Sequence, residues 1–446
     1  MYDSRTRFYL ARFLADAFLA GVWSERAMAD RAARGLDRRP RWLGTVAREV
    51  QAAYHRPPSD RPRELARFVG LVLGEVPPGE SSEPVPQVRR WLLPVTEMGR
   101  RRWPVPELGC ARALGEWLGL DAGELEWMAD VRGLERSAAD ERLRHYRYRT
   151  LPRAGGVPRV IERPKVRLKA IQRRILHELL DQIPVHDAAH GFTRGRSAAS
   201  HASAHVGQGT VVSLDLEDFF ASVTVGRVYG VFRAAGYPEP VAHALAGLST
   251  NVVPAHVWRT IPAPDDARRS AVHHRLGRRL ATPHLPQGAP TSPALSNLAA
   301  FRLDRRLAGL ASALRLTYSR YADDLTFSGP ARALRDPSVL PAAVTAIVRD
   351  EGFVVNQRKF RRVTQGGRQR VCGIVVNQRL NLARAEYDSL KAIIHNAGTR
   401  GLPDTDHRTR ERWRAHLEGR VAWVQSLHPQ RGERLRRELA RIEWTA

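Results

Sequence analysis

Two adjacent aspartates stand between strand-like runs at Tyr321-Ala322-Asp323-Asp324-Leu325. Before them Leu314, Leu316 and Tyr318 alternate with polar residues up to Arg320-Tyr321; after them Leu325-Thr326-Phe327 continues to Gly329-Pro330. The pattern predicts a β-hairpin starting at Leu314 with the aspartate pair at its tip. Neighbouring carboxylates repel, so a bare pair costs stability unless a cation lies between them. A divalent metal meets that need when a third carboxylate comes from elsewhere in the chain. The candidate is Asp215. The β-branched run Thr210-Val211-Val212-Ser213-Leu214 ends on it, and Leu216-Glu217-Asp218-Phe219-Phe220 follows. Taken alone, an aspartate at a strand end is more often a turn residue than a catalytic one.

The partner is legible in the charge. The 446 residues, enough for two or three domains, carry 72 basic against 46 acidic side chains, a net +26. Such an excess implies a polyanion, with nucleic acid the first candidate. Lysine occurs only at Lys165, Lys169, Lys359 and Lys391; a GC-rich genome accounts for the choice of arginine but not for the surplus. Cys110 and Cys372 stand alone, which excludes a disulfide framework or a cysteine-built zinc site and fits a reducing, cytoplasmic setting. The apolar run Phe13 to Trp23 follows Arg5, Arg7 and Arg12, but Asp16 interrupts it and Glu25 follows closely. It predicts an amphipathic helix rather than a signal peptide. No run approaches the ~18 apolar residues of a membrane span.

Residues 1–137 are expected to form a helical domain, with Phe8, Leu10, Phe13, Leu14, Phe18 and Leu19 at helical spacing. Val76 to Pro86 is a loop or linker by its Pro, Gly and Ser content. Asp121 and Glu124 suit a capping box between two short helices. That pair could read DNA, but Glu124, Glu126 and Asp130 would repel phosphate, so it is expected to pack on its neighbours. From Tyr146 a basic hairpin is expected, turning at Gly155-Gly156 and resuming at Pro158-Arg159-Val160-Ile161. Its cations suit phosphate or a solvated face equally. A long helix from Leu168 to Ile183 should bury Ile171, Ile175, Leu176, Leu179 and Leu180. The loop His190 to Ser197 combines Gly191 and Gly195, which permit close backbone approach, with Arg194 and Arg196, which suit phosphates. Residues 227–283 carry little chemistry; His256, His273, His274 and His284 lack acidic or thiol partners at ligand spacing. Leu285-Pro286-Gln287-Gly288-Ala289-Pro290-Thr291-Ser292-Pro293 is a turn-rich loop before a helix from Ala294 to Leu307, suited to covering a base pair or simply to starting that helix. Later segments predict a loop from Pro330 to Pro341, a helix from Ala342 to Arg349, and a strand from Val371 to Asn377 whose Gly373 admits another backbone. A helical tail from Arg384 follows.

In this order the segments around Asp215, Gln287 and Asp323-Asp324 resemble reverse transcriptases, and among them the bacterial retron type. The resemblance covers roughly Tyr146 to Gly432. It implies an α+β right-hand polymerase, with an N-terminal helical domain at 1–137, fingers and palm at 138–384 and a helical, RNA-binding thumb at 385–446. The enzyme would be an RNA-directed DNA polymerase copying a cognate non-coding RNA into single-stranded DNA, part of an anti-phage retron. Implied partners are that RNA as template and primer, dNTPs, the DNA product and an effector protein encoded nearby. A thumb-sized C-terminus argues against a mobile-intron enzyme with maturase and nuclease domains.

Carried over position by position, Asp215, Asp323 and Asp324 match the catalytic carboxylates. With the carbonyl of Leu216 they would hold two Mg²⁺ ions about 4 Å apart, Mn²⁺ being a substitute. Lys359 matches a proposed general acid toward pyrophosphate. Asp218, Phe219 and Phe220 would line the nucleotide site, Phe220 as the gate against a 2′-hydroxyl. Gln287 and Gly288 would lie beside the base pair, and Arg159, with Lys165 or Lys169, on the triphosphate. Arg194, Arg196, Arg420 and Trp423 would contact RNA. Two departures from the retron pattern are present: no Asn-Ala-x-x-His lies between the Asp215 and Gln287 segments, and Val371-Cys372-Gly373 replaces Val-Thr-Gly. They leave open a different defence-associated reverse transcriptase. A catalytically idle RNA-binding protein is a third reading, opposed by the intact carboxylates.

Overall fold

The computed structural model describes residues 3–75, 85–138, 140–152, 157–264, 266–334, 336–400, 407–442 and 444. The chain divides into two compact units, Met1–Pro184 with Val223–Leu295, and Val185–Ser222 with Ser296–Ala446.

The first unit opens with helices Ser4–Leu19, Glu25–Gly35, Leu43–Ala53 and Pro62–Glu75. Asp3 caps the first helix, accepting from the Arg5 and Thr6 amides. Phe13, Leu14, Phe18, Met28, Trp42 and Val69 are fully buried between these helices, each contributing about 2 kcal/mol through apolar burial. The first helix stops at Leu19, short of the predicted Trp23, and Phe8 points outward at 67% exposure. Of the expected Val76–Pro86 loop, residues 76–84 lie outside the described residues.

Helices Ala111–Leu118 and Ala122–Ala129 flank the turn where Asp121 and Glu124 form the expected capping box. The pair packs on helix Glu239–Ser249. Gly247 makes this approach possible, since a Cβ there would come within 2.0 Å of the Ala129 carbonyl oxygen. Strands β1 (Tyr146–Leu151) and β2 (Arg159–Pro164) pair antiparallel, from Tyr146 opposite Pro164 to Leu151 opposite Arg159. The predicted turn Gly155-Gly156 lies outside the described residues. The next helix begins at Val166, two residues early, and changes to a π turn at Ile175–Leu179 and a 3₁₀ turn at Leu180–Gln182. The wider turn rotates the following side chains, so Leu179 and Leu180 are buried while Leu176 is only partly covered.

The second unit holds a four-stranded antiparallel sheet in the order β4-β5-β3-β6. These strands are β3 (Thr210–Asp215), β4 (Thr317–Tyr321), β5 (Asp324–Gly329) and β6 (Arg361–Thr364). β3, covered on both faces, is the apolar run expected of an interior strand. β4 starts at Thr317 rather than Leu314, because Leu314 ends helix Phe301–Ala313 and Arg315 turns the chain at φ 53°. β6 was not foreseen: a four-residue edge strand carrying two arginines shows no apolar alternation.

The predicted strand at Val371–Asn377 is instead a hairpin of β7 (Arg370–Val371) and β8 (Ile374–Val375). Cys372 and Gly373 form its turn at φ 49° and 82°, as a two-residue hairpin loop requires. Gly373 faces open space, so the glycine serves the turn and not a close approach. The predicted helix Ala294–Leu307 is two helices, Ser292–Ala299 and Phe301–Ala313, and the helix predicted from Ala342 begins at Val339. Helices Arg384–Arg400, His407–Leu427 and Pro429–Leu439 close the chain over Leu390, Ile394, Leu417, Val421 and Leu435. Among the described residues no helix is long and apolar enough to cross a membrane.

Candidate active site

The pairing of β3 with β5 sets Asp215 directly opposite Asp324. The two-residue turn Ala322-Asp323 joins β4 to β5, and the Leu216 amide donates to the Asp323 carbonyl at 2.9 Å. The hairpin with aspartates at its tip is therefore present, and all three carboxylates meet at one end of the sheet. Asp215 is 4% exposed and doubly held, accepting from Lys359 Nζ at 2.5 Å on Oδ2 and from Asn356 Nδ2 at 3.1 Å on Oδ1. The Asn356 amide also donates to the Asp215 carbonyl, at 2.7 Å.

Among the described residues neither Asp323 nor Asp324 makes an ion pair, though Lys359 acts on both from a distance. Burial, then the Asp215 carboxylate, pushes Asp323 above the usual carboxylate range. Burial, then Asp323 and Asp215, pushes Asp324 up to about 6. Asp324 keeps an exposed edge where solvent screens part of this repulsion. A carboxylate cluster short of positive charge is the donor set that suits a hard divalent cation. Among the described residues no three acidic, imidazole or thiol side chains already converge on an ion site. Asp215 is turned to Lys359 and Asn356, and would have to share or release the ammonium to bind metal.

The turn is clamped from beneath. Arg320, fully buried, donates to Ala322 O at 2.9 Å, to Asn297 Oδ1 at 3.0 Å and to both oxygens of buried Asp304 at 2.8 and 2.6 Å. Asn297 in turn donates to Gly191 O at 2.8 Å. Gly191 lies so close to the turn that a Cβ would sit 2.6 Å from the Ala322 amide nitrogen. The close approach expected of this glycine is thus made to the aspartate hairpin itself. The Cys372 thiol, in the β7–β8 turn, is pushed up to about 12 by burial, then by Asp324 and Asp323.

The remaining expected residues divide by what they touch. Phe220 is half-buried with its ring 5.9 Å from Phe192, beside the carboxylates' strand. Phe219 points inward against Phe353 at 5.7 Å and beneath Arg320 at 5.5 Å, so it supports the site from inside the core. Asp218 turns the chain at φ 48°. Arg194 is exposed, whereas Arg196 donates to the His186, Asp187 and Ala189 carbonyls just before its own loop. Trp423 is 38% exposed, and Arg420 half-buried one turn before it.

In the first unit Arg159 is exposed at the start of β2. Lys165 donates to the Glu141 and Arg142 carbonyls at 2.6 and 3.1 Å, bracing the preceding loop rather than standing free for a phosphate. Gln287 and Gly288 are held against β2: the Glu162 amide donates to Gln287 O at 2.9 Å. A Cβ on Gly288 would meet Glu162 O at 2.8 Å.

Residues 151–391 match the family model described as reverse transcriptase (RNA-dependent DNA polymerase). The chain is 44% identical to the retron Mx65 reverse transcriptase of Myxococcus xanthus over 67% of this chain and 65% of that protein. It is 38% identical to the retron Mx162 reverse transcriptase of the same organism, over 79% and 71%, and 31% identical to the retron Ec86 reverse transcriptase of Escherichia coli, over 56% and 69%. The chain belongs to the retron-type reverse transcriptases. Its class is therefore the α+β right-hand polymerase, and its family one of RNA-directed DNA polymerases. A Candida albicans telomerase structure aligns at TM-score 0.35 and 11% identity, over 66% of this chain and 55% of that one, too loosely to bear on the site.

Several residues of this reverse transcriptase escaped the sequence reading. Asn356, Arg320 and Asp304 act through partners 16 to 141 positions away. His284 has no acidic partner at ligand spacing in the sequence, yet its Nε2 lies 3.0 Å from Glu162 Oε1, both side chains buried, across 122 positions. No local signal announces such pairs; they exist only once strands and loops are placed.

Proposed function

We propose that this reverse transcriptase copies a cognate structured non-coding RNA into single-stranded DNA in the cytoplasm, as the polymerase of an anti-phage retron with an effector protein encoded nearby. The observation that carries the reading is the meeting of Asp215, Asp323 and Asp324 at one sheet end, in a chain 44% identical to a retron enzyme. Asp215, Asp323 and Asp324, with the Leu216 carbonyl, would hold Mg²⁺. Bound there, the metal would acidify the primer hydroxyl and stabilise charge on the departing pyrophosphate.

The chain's own groups do the rest. The Arg320 clamp fixes the turn so that Asp323 and Asp324 need no reorganisation when substrate arrives. Lys359 Nζ, 2.5 Å from Asp215, serves as the proton source for pyrophosphate. Phe220 acts as the gate against a ribose 2′-hydroxyl, which selects deoxynucleotides. Arg159 binds the triphosphate and Gln287 with Gly288 borders the nascent base pair. Arg194, Arg420 and Trp423 contact RNA through charge and stacking.

Sequencing the nucleic acid that co-purifies with the protein tests the retron assignment. One RNA covalently joined to one DNA is expected. A mixture of cellular RNAs with no attached DNA contradicts it.

A further inference from the structure

The Gln287 loop owes its position to a buried charge pair. Glu162, on β2, and His284, three residues before Gln287, are each about 1% exposed. His284 Nδ1 lies 2.7 Å from the Thr282 carbonyl and its Nε2 3.0 Å from Glu162 Oε1. Both ring nitrogens therefore face acceptors, the arrangement of an imidazolium paired with a carboxylate. Burial lowers the affinity of this ring for a proton, but Glu162 more than restores it, leaving the ring above its ordinary value.

The second oxygen of Glu162 accepts from Asn251 Nδ2 at 2.7 Å, and Asn251 also donates to Tyr148 Oη at 3.1 Å. The Asn251 and His284 backbones exchange two hydrogen bonds, at 2.9 and 3.0 Å. Glu162 thus ties together the β1–β2 hairpin, the end of helix Glu239–Ser249 and the loop that follows His284. To that loop it reaches twice. Its amide donates to Gln287 O, and its Oε1, already holding His284, lies 3.4 Å from the Gln287 amide nitrogen.

We propose that Glu162 and His284 are positioning residues for nucleotide binding, setting the Gln287–Gly288 backbone and so the affinity for the incoming dNTP. The inference rests on the reading of Gln287 as part of the nucleotide pocket. A buried ion pair is a weak source of stability but a sharp geometric constraint. Here one carboxylate oxygen is shared between an imidazolium and a loop amide, so the loop follows the pair.

Glu162→Gln separates position from stability. The glutamine amide nitrogen can donate to a neutral His284 Nε2, and its oxygen can still accept from Asn251. At the Gln287 amide, however, donor would face donor. Steady-state extension on a fixed primer–template is measured for wild type, Glu162→Gln, Gln287→Ala and the double variant, together with thermal melting and RNA affinity. Glu162→Gln is expected to raise the dNTP KM about tenfold, with kcat changed far less and melting and RNA binding close to wild type. The double variant is expected to match Gln287→Ala alone, because both changes act through one loop. An unchanged KM in Glu162→Gln beside a raised KM in Gln287→Ala overturns this inference and leaves the pocket reading standing. An unchanged KM in Gln287→Ala overturns the pocket reading itself. If Glu162→Gln unfolds, His284→Gln is measured in its place, and multiplicative KM effects with Gln287→Ala overturn the proposal.

Discussion

Lys359 Nζ lies 2.5 Å from Asp215 Oδ2, the one ion pair made by the buried carboxylate of the candidate catalytic cluster among the described residues. The ammonium neutralises Asp215, but it lowers Asp323 and Asp324 too little to offset their burial and the repulsion among the carboxylates.

Two substitutions separate a proton donor from a mere counter-charge at this position. Lys359→Met is expected to lower kcat about 100-fold, the lower end of general acid catalysis. Lys359→Arg keeps the charge but cannot give up a proton, and is expected to fall nearly as far. An arginine variant with wild-type kcat in single-turnover extension would reduce Lys359 to an electrostatic brace.

Arg320→Ala is expected to destabilise the protein by about 3–5 kcal/mol, because it leaves the buried Asp304 carboxylate uncompensated. Denaturant titration measures this. Asp304→Asn in the same background should recover part of the loss, and a cost under about 1 kcal/mol would mean the pair is not buried as described.

Gly191→Ala places a methyl group 2.6 Å from the Ala322 amide nitrogen, a backbone atom that cannot swing aside. The aspartate turn must shift, at a cost of about 1–3 kcal/mol. Extension activity is expected to fall more steeply than stability. Wild-type activity in a folded variant would show that the turn tolerates displacement.

His201 and His205 are buried among Ser319, Ser328 and Thr326, with His205 bridging Ser328 and Ser319 at 2.7 Å each. Burial first, then the neighbouring imidazoles and, for His201, the Arg320 guanidinium, depresses His201 to about 3 and His205 to about 4. An unfolded chain protonates these rings near their ordinary pKa of about 6.5. Between those values unfolding takes up protons, so stability contributed at neutral pH is lost as pH falls. The urea midpoint of wild type should drop between pH 7 and 5 more than that of His205→Asn. Parallel profiles would contradict the assignment of neutral, buried rings.

How much was legible depended on the length of chain that carried each signal. The strand ending on Asp215 and the hairpin carrying Asp323-Asp324 announce themselves through five or more residues of alternation or β-branching, and both are present. The Asp121–Glu124 capping box was equally plain, because its geometry is complete within four residues. β6 and the β7–β8 hairpin escaped because two to four residues cannot display a period. The helix after β2 was seen but not its π turn, since one extra residue in a turn leaves the apolar pattern nearly intact. In the site, the carboxylates were readable from their own neighbours, whereas the groups that fix them, Asn356, Arg320 and Asp304, became visible only in three dimensions.

The central claim is that three aspartates at one sheet end perform RNA-directed DNA synthesis. Purified protein with its co-purifying RNA, Mg²⁺ and labelled dNTPs tests it most directly, comparing wild type with Asp323→Asn plus Asp324→Asn. The account predicts DNA extension by wild type and none by the double variant, with RNA binding retained. Unchanged extension by the variant would contradict it.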